Sequence, residues 1–297
     1  MFNIKVPATT ANMGPGFDAL GMALNMYNEV EIQEQEDGVE VIWDGMDVDL
    51  PLEENLIYTS LVLVLDRYGY EYKGFKIRMK DCSIPLSRGL GSSASAIVAG
   101  IAAANAIMGG KLSEDEIINI ATEIEGHPDN VVPAITGGMV VSLSNEGKVV
   151  HSKIDVPENL KFAVMIPSFK VSTEEARGVM PKSYGKSECI FNISRVAMLV
   201  NAFNKGEIEK IRCCTKDMIH QPYRKTLIHG IDDIFKKSEE LGAVAEFISG
   251  SGSTLISVVE SQNTGFEKNM REFLEGIEGG WQIKMLEMDA HGVRIDI

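Results

Sequence analysis

The sequence is short of positive charge, which argues against two classes of partner. Lys and Arg together number 28 against 43 Asp and Glu, so the formal net charge is -15. The acidic residues are spread along the chain and not gathered into a tail. Because affinity for nucleic acid and for anionic membranes comes from clustered basic side chains, we expect neither as a partner. A bound phosphate would have to be held by backbone N–H groups, a few placed cations or Mg²⁺.

Cysteines and long apolar runs are also scarce. The four cysteines are Cys82, Cys189, Cys213 and Cys214, and no pair has the spacing of a metal site or a redox motif. We therefore interpret them as reduced thiols in the core. No apolar run approaches the roughly 18 residues of a membrane span, and the N-terminal residues lack the charged and apolar regions of a signal peptide. The expected location is cytoplasmic.

The composition is that of a folded protein with one large or two smaller domains. The 297 residues are 44% hydrophobic and 24% charged, both ordinary values for globular proteins. Pro157 follows a run of predicted strands and marks a plausible boundary. We therefore expect an N-terminal domain over residues 1–155 and a C-terminal domain over residues 156–297.

Alternating strand and helix patterns predict an α+β fold. Strands are predicted at residues 2–6, 27–34, 39–43, 75–79, 139–143, 149–154, 162–166, 243–248, 254–259 and 282–288. Helices are predicted at residues 55–68, 92–108, 113–125 and 265–274, with several more between 172 and 241. Residues 7–17 are rich in Gly, Pro and Asn and are predicted as a loop. This order suggests helices covering one face of a mainly antiparallel sheet.

The clearest motif is Gly89-Leu90-Gly91-Ser92-Ser93-Ala94, which opens an Ala-rich helix. Glycines let a backbone approach a ligand closely, and the first N–H groups of a helix are free to bind an anion. No Gly-Lys-Ser/Thr follows, so this is not a Walker A loop, and it is not the dinucleotide fingerprint either. One hydroxyl at the helix start could ligate Mg²⁺ while its neighbour holds a phosphate oxygen. The alternative is a plain turn with a capping serine.

A second motif, Glu125-Gly126-His127-Pro128-Asp129-Asn130, delivers two carboxylates and an imidazole within six residues at the end of a helix. Such a group suits metal binding or proton transfer. A lone His is more often structural, and we interpret His151, His220, His229 and His291 in that way because they have no partners in the sequence.

Two further segments present charged groups. Asn12 and Asp18 flank Gly14-Pro15-Gly16, a turn that can direct an amide and a carboxylate toward a ligand, although they could be simple loop caps. Ser172 begins a capping box that places Thr173 and Arg177 on one helix face, and an exposed Arg is the alternative there.

Four runs resemble the GHMP kinases, namely residues 7–18, 85–95, 125–130 and 249–252. Residues 7–18, 125–130 and 249–252 match the homoserine kinase branch, and residues 7–18 and 249–252 are specific to that branch. Ser253 stands where that family usually has Pro. The resemblance implies a two-domain α+β fold, with an N-terminal domain like ribosomal protein S5 and a ferredoxin-like C-terminal domain, and with the active site between them.

The resemblance also implies a set of site residues. ATP would bind on Pro85, Leu86, Ser87, Arg88, Gly89, Leu90, Gly91, Ser92, Ser93, Ala94 and Ser95. Mg²⁺ would be held by Ser93 and Glu125, with Glu123 as the alternative carboxylate. L-homoserine would contact Asn12, Asp18, His127, Asp129, Thr173, Arg177, Arg224 and Gly250. Asp129 matches a base used in some GHMP kinases, or it orients the substrate amino group.

The implied activity is ATP-dependent phosphorylation of the L-homoserine side-chain hydroxyl to O-phospho-L-homoserine, in threonine biosynthesis, by a homodimer. Two alternatives stay open at this point. One is a related kinase for another alcohol, such as an intermediate of the mevalonate pathway. The other is a sensor that binds ATP without turnover, for which the serine and glutamate of the metal site would have no use.

Overall fold

The computed structural model describes residues 1–45, 48 and 50–296. Its strands are β1 (Phe2–Ala11), β2 (Leu20–Glu34), β3 (Gly38–Trp43), β4 (Gly74–Cys82), β5 (Met139–Asn145), β6 (Lys148–Ile154), β7 (Leu160–Ile166), β8 (Ala245–Ile248), β9 (Leu255–Glu260), β10 (Gln282–Leu286) and β11 (Arg294–Asp296). Its α-helices are α1 (Leu56–Arg67), α2 (Ser92–Ile107), α3 (Glu114–Glu125), α4 (Pro128–Thr136), α5 (Thr173–Gly178), α6 (Lys186–Lys205), α7 (Ile208–Cys214), α8 (Gln221–Arg224), α9 (Ile231–Glu240) and α10 (Phe266–Leu274). Leu52–Glu54 and Lys225–Leu227 form short 3-10 helices.

The strands form two sheets, as an α+β fold requires. The first sheet runs β11-β1-β2-β4-β3, and β5 pairs with the free part of β2 and with β6. The second sheet runs β10-β7-β9-β8 and is antiparallel throughout. In the first sheet β3 and β4 are parallel, and the other pairs are antiparallel. The prediction of mainly antiparallel sheets is therefore confirmed.

Most predicted elements are present, and the largest differences lie at the start of the chain. β1 continues to Ala11, through residues that were predicted as loop, and β2 begins at Leu20 where a start at residue 27 was predicted. A bulge between Pro7 and Ala8 accommodates the proline within β1. Helix α3 has the predicted capping box, from Ser113 to Glu116, and ends at Gly126 in the left-handed conformation. Helix α4 and strand β11 had no counterpart in the prediction.

Helices α1 to α4 cover one face of the first sheet and enclose the main core of that domain. The Ala-rich sequence of α2 lets α1 approach closely. A Cβ atom at Gly100 would lie 2.3 Å from the carbonyl oxygen of Ile57, so only glycine fits at this crossing. The tight contact fixes the axis of α2 and therefore the direction in which its N-terminus points.

A second core joins the two sheets. It combines Met22 and Leu24 of β2 with Phe162 of β7, Phe203 of α6 and Phe247 of β8, all buried. The two halves of the chain are thus packed against each other through apolar surface. None of the helices in the described part of the chain is long and apolar enough to cross a membrane.

The chain returns to the first sheet after completing the second. Strand β11 pairs with β1, so the last described residues lie with the N-terminal half, although the sequence predicts a division at 155/156. Asp289, which is 4% exposed, secures this return. Its carboxylate accepts hydrogen bonds from Tyr27 Oη at 2.6 Å, from the backbone N–H groups of His291 and Gly292, and from Arg294.

Gly21 in β2 makes the tightest contact between the first sheet and α4. A Cβ atom at this position would lie 1.7 Å from the backbone carbonyl oxygen of Asp129. Since β2 is held by β1 and β5 on either side, the start of α4 would have to move instead.

We expect Gly21→Ala to destabilise the protein by about 2 kcal/mol, because an added methyl group in a packed interior forces the backbone to shift. Urea unfolding measures the change. Gly276→Ala is the matched control, since its Cβ would meet only an ordinary contact at 3.5 Å, and its effect should stay within about 0.5 kcal/mol. Equal effects of the two substitutions would contradict the packing argument.

Candidate functional site

A cleft of about 690 Å³ lies between the two halves of the chain. Its volume is in the range of small-molecule and cofactor sites. The predicted residues that line it are Asn12, Asp18, Pro85, Leu86, Ser87, Arg88, Gly89, Gly91, Ser92, Ser93, Glu125, His127, Asp129, Thr173, Arg177, Arg224 and Gly250. Segments far apart in the sequence therefore meet in one cavity.

Three residues of the predicted phosphate loop do not line the cleft. Leu90, Ala94 and Ser95 are 1%, 0% and 1% exposed and lie beneath the loop. Leu90 accepts a hydrogen bond through its carbonyl from the N–H of Thr9, and Asn28 lies 3.4 Å from the hydroxyl of Ser95. These residues support the loop, while their neighbours face the cavity.

The loop before α2 has the backbone of an anion site. Ser87, Gly89 and Gly91 all have positive φ angles, of 56°, 72° and 67°. A Cβ at Gly89 would lie 2.0 Å from the carbonyl oxygen of Ser249, and one at Gly91 would lie 1.9 Å from Thr9 Oγ1. Gly91 is the N-cap of α2, and no side chain caps the helix there. The first N–H groups of α2 therefore lack the usual side-chain partner and are suited to an anion.

Arg88 stabilises this loop through hydrogen bonds to backbone carbonyl groups. Its guanidinium donates to the carbonyl oxygens of Leu86 at 2.9 Å and Pro167 at 2.8 Å, and also to that of Ser168. The N–H of Val171 donates in turn to the carbonyl oxygen of Ser87 at 3.2 Å. Arg88 thus contributes its charge to the loop while its donors are engaged by the protein.

Ser93 and Glu125 form a pair of oxygen ligands at the edge of the loop. Ser93 Oγ donates to Glu125 Oε2 at 2.7 Å. Burial raises the pKa of Glu125, and the hydrogen bond from Ser93 opposes that rise. No Lys or Arg within the described ranges forms an ion pair with Glu125, whereas Glu123 is held by both nitrogens of Arg67 at 2.9 and 3.0 Å. A carboxylate on the wall of the cleft with no Lys or Arg partner favours a bound cation.

His127 and Asp129 follow directly along the chain. His127 Nδ1 lies 2.8 Å from Asp129 Oδ1, and this hydrogen bond raises the pKa of His127. Asp129 is only 1% exposed and sits in the first turn of α4, where the helix dipole favours a carboxylate. The pair therefore places a negative and a partly positive group side by side on the wall of the cleft.

A strained turn carries Asn12 and Asp18, whose φ angles are 67° and 54°. The amide of Asn12 is engaged at both ends, since Nδ2 donates to the carbonyl of Gly250 at 2.8 Å and Oδ1 accepts from the N–H of Asp18 at 2.9 Å. Asp18 accepts two hydrogen bonds from Arg177, at 2.8 and 3.2 Å. The positive φ angles persist because these contacts hold the turn.

Arg224 lies at the floor of the cleft and is 2% exposed. It donates to the carbonyl oxygens of Gly250 at 2.8 Å and Ala176 at 3.3 Å. Burial lowers the pKa of Arg224 to about 10, so the side chain stays charged near neutral pH. Within the described parts of the chain it has no carboxylate partner at ion-pair distance, which leaves its charge available to an anion in the cleft.

The apolar wall of the cleft was not predicted from the sequence. This wall is formed by Trp43 of β3, Met79 of β4, Ile84 in the loop after β4, Leu56 at the start of α1 and Leu50 before it. Single apolar residues on separate elements carry no motif, so only their assembly in the fold reveals them. Lys170, Asn28 and Asn130 also line the cleft and were not predicted.

Two family models match the chain. The model described as "GHMP kinases N terminal domain" matches residues 55–138, and the model described as "GHMP kinases C terminal" matches residues 200–275. The first match contains the phosphate loop and the Glu125 to Asp129 segment, and the second contains Arg224 and Gly250.

Curated relatives match over almost the full length. The homoserine kinase of Clostridium novyi is 55% identical over 99% of this chain and 99% of its own. The homoserine kinase of Clostridium kluyveri is 54% identical over 98% of this chain and 97% of its own. Among solved structures, the homoserine kinase from Cytophaga hutchinsonii superposes with a TM-score of 0.89, at 29% identity, over 99% of this chain and 97% of that one.

Proposed function

Because the chain belongs to the homoserine kinase family of the GHMP kinases, we propose that it transfers the γ-phosphoryl group of ATP to the side-chain hydroxyl of L-homoserine. The product is O-phospho-L-homoserine, and the reaction belongs to threonine biosynthesis. The observation that carries this proposal is the single cleft in which an uncapped helix N-terminus adjoins a cluster of acidic, basic and imidazole side chains.

The ATP half of the cleft lies along the phosphate loop. Backbone N–H groups at the start of α2 receive the phosphates, as the positive φ angles at Gly89 and Gly91 allow. The apolar wall that includes Trp43, Leu56 and Met79 is suited to the adenine ring. In this proposal the γ-phosphate lies toward Ser93 and the substrate side chains.

The pair formed by Ser93 and Glu125 fits Mg²⁺. Both atoms are hard oxygen ligands, and no Lys or Arg in the described part of the chain forms an ion pair with the Glu125 carboxylate. The described part of the chain has no group of three His, Cys, Asp or Glu residues that could hold a metal alone, so phosphate oxygens and water would complete the shell. When bound, Mg²⁺ neutralises the charge that develops on the phosphates during transfer.

The other half of the cleft suits an α-amino acid. The carboxylates of Asp18 and Asp129 favour an ammonium group, and the guanidinium groups of Arg177 and Arg224 favour a carboxylate. Thr173, at the first turn of α5, adds a hydroxyl. An alcohol acid without an amino group would bring no further cation to these two carboxylates, which Arg177 and His127 already contact.

In the proposed reaction the homoserine hydroxyl oxygen attacks the γ-phosphorus of ATP. The new O–P bond forms as the bond from the γ-phosphorus to the bridging oxygen breaks, and ADP leaves with that oxygen. Asp129 accepts the hydroxyl proton, and His127 stabilises its carboxylate from the other side. The helix N–H groups and the charged side chains provide most of the transition-state stabilisation, since phosphoryl transfer depends on positioning and electrostatics.

The assembly and the location of the protein are proposed on the family resemblance. We propose a homodimer that acts in the cytoplasm, where ATP is the phosphoryl donor. The four cysteines are free thiols, but Cys189 and Cys213 are exposed, so the prediction that all four lie in the core is wrong for these two.

The substrate assignment is tested by ADP release with Mg²⁺-ATP and a panel of alcohols. We expect rapid turnover with L-homoserine and little with L-serine, L-threonine, mevalonate or galactose, because only homoserine offers both charged groups at the right distance from its hydroxyl. Turnover of another alcohol would support the kinase activity but contradict the assignment of homoserine as the substrate. ATP binding without any turnover would indicate a sensor.

The metal assignment is tested by the matched substitutions Glu125→Gln and Glu123→Gln. We expect Glu125→Gln to lower kcat/KM by at least about 100-fold, since metal stabilisation of transition-state charge is worth several kcal/mol. Glu123→Gln removes only the surface ion pair with Arg67 and should leave activity within about twofold, since such pairs contribute little. A larger loss of kcat/KM in Glu123→Gln than in Glu125→Gln would indicate that Glu123 holds the metal.

The role of Asp129 is tested by Asp129→Asn, which keeps the shape of the side chain. If Asp129 takes the hydroxyl proton, kcat should fall by about 100-fold or more while KM for homoserine changes little. If Asp129 only orients the substrate amino group, KM should rise far more than kcat falls. Steady-state kinetics at saturating Mg²⁺-ATP separates the two results.

A further inference from the structure

His220 lies directly beneath the substrate half of the cleft. It is 0% exposed and does not line the cavity. Its Nε2 is 2.6 Å from the carbonyl oxygen of Gly14, and its Nδ1 is 3.4 Å from Nη1 of Arg224. A carbonyl only accepts, so Nε2 carries the hydrogen and Nδ1 is left as the acceptor that faces the guanidinium.

The imidazole ring is held from several sides. The carboxylate of Asp217 accepts hydrogen bonds from the backbone N–H groups of Ile219, His220 and Gln221, at 3.0, 2.8 and 2.7 Å. The ring of Phe17 packs against His220 with 5.4 Å between centroids. The segment before α8 is therefore built to fix this ring in one orientation.

The two partners of His220 belong to the two substrate-binding elements. Gly14 is the middle of the turn that carries Asn12 and Asp18, and a Cβ at Gly14 would lie 2.6 Å from the carbonyl oxygen of Thr215. Arg224 is the buried guanidinium at the floor of the cleft. His220 is the side chain that bonds to both.

We propose that His220 is a positioning residue for the substrate carboxylate: it fixes the guanidinium of Arg224 against the Gly14 turn, so that recognition of an amino-acid substrate depends on it. This inference rests on the proposed function, because it assigns the substrate carboxylate to Arg224. His220 touches neither substrate nor ATP and acts through Arg224 alone.

The protonation state of His220 agrees with this role. Burial lowers the pKa of His220 to about 4, with the charge of Asp217 opposing and that of Arg224 reinforcing the change. The groups that face the ring are Asp217, whose Oδ2 lies 3.6 Å from Nε2, Arg224 and, more weakly, Asp18. A neutral imidazole can accept from Arg224, whereas a protonated one would repel it.

The test compares His220→Phe with the matched control His229→Phe. Phenylalanine retains the packing against Phe17 but has no nitrogen for Gly14 or Arg224. His229 is exposed, lies edge-on to the ring of Phe169 and does not line the cleft, so its substitution should leave the activity unchanged. The measured quantities are KM and kcat for L-homoserine, KM for Mg²⁺-ATP, and kcat/KM for L-homoserine amide, which has no negative charge.

We expect His220→Phe to raise KM for L-homoserine about tenfold or more, because a hydrogen bond to a charged group is worth at least one factor of ten. KM for ATP and kcat/KM for the amide should stay within about twofold, since neither depends on the carboxylate contact. The ratio of kcat/KM between homoserine and the amide therefore falls. A purely structural role would lower kcat and both kcat/KM values by one common factor and leave the KM values unchanged, and that result would overturn the proposal.

A second variant covers the case in which His220→Phe does not fold. In His220→Asn the amide oxygen can replace Nδ1 as the acceptor for Arg224, so KM for homoserine should lie closer to the unmodified protein than in a His220→Leu variant. The proposal would be overturned if His220→Asn and His220→Leu had equal KM values for homoserine. It would also be overturned if His220→Leu kept the unmodified protein's ratio of kcat/KM between homoserine and the amide. Absence of homoserine turnover by the unmodified protein would remove the proposed function and this inference together, whereas normal turnover with an unchanged ratio in the variants removes only the inference.

Discussion

The site depends on the close backbone approach between the phosphate loop and the turn that follows β8. Ser249 Oγ donates to the carbonyl oxygen of Gly89 at 2.6 Å, and the N–H of Gly250 donates to the carbonyl oxygen of Ala11 at 3.0 Å. A Cβ at Gly89 would lie 2.0 Å from the carbonyl oxygen of Ser249, so no larger residue fits. Three segments, the end of β1, the loop before α2 and the turn after β8, are therefore held at hydrogen-bond distance along one boundary of the cleft.

In an acidic protein, the few positive side chains near an anionic ligand have to be held in position by other groups. Of the arginines in the cleft, Arg88 is engaged by carbonyl oxygens, Arg177 by Asp18, and Arg224 by carbonyl oxygens and His220. Each guanidinium is thus fixed before a ligand arrives, and fixed charges need no reorganisation during the reaction. Helix N–H groups supply the remaining attraction for phosphate without adding a formal charge. With a net charge of -15, the protein relies on local geometry and not on a basic surface.

Local signals predicted much of this fold, and the site residues with motifs came together in one cleft. The capping box at Ser113 and the glycine-rich entry to α2 are determined by nearby residues, so they could be recognised in the sequence. The extension of β1 to Ala11 could not, because the Gly, Pro and Asn content of the segment indicates a loop and only pairing with β2 and a bulge at Pro7 make it a strand. His220 was interpreted as structural for a similar reason. Its partners, Gly14 and Arg224, include one that is 206 positions away, and such contacts leave no periodic trace in a single sequence.

The return of the chain to the first sheet has a mechanical consequence. The polypeptide crosses between the two halves once before β7 and again between β10 and β11, where Leu24 bridges to Met288 and the N–H of Asn25 donates to the carbonyl oxygen of Glu287. A body tethered at one point can swing in any direction, whereas one tethered at two points rotates most easily about the line that joins them. Relative movement of the two halves is therefore limited at both crossings, and the apolar core that they share limits it further.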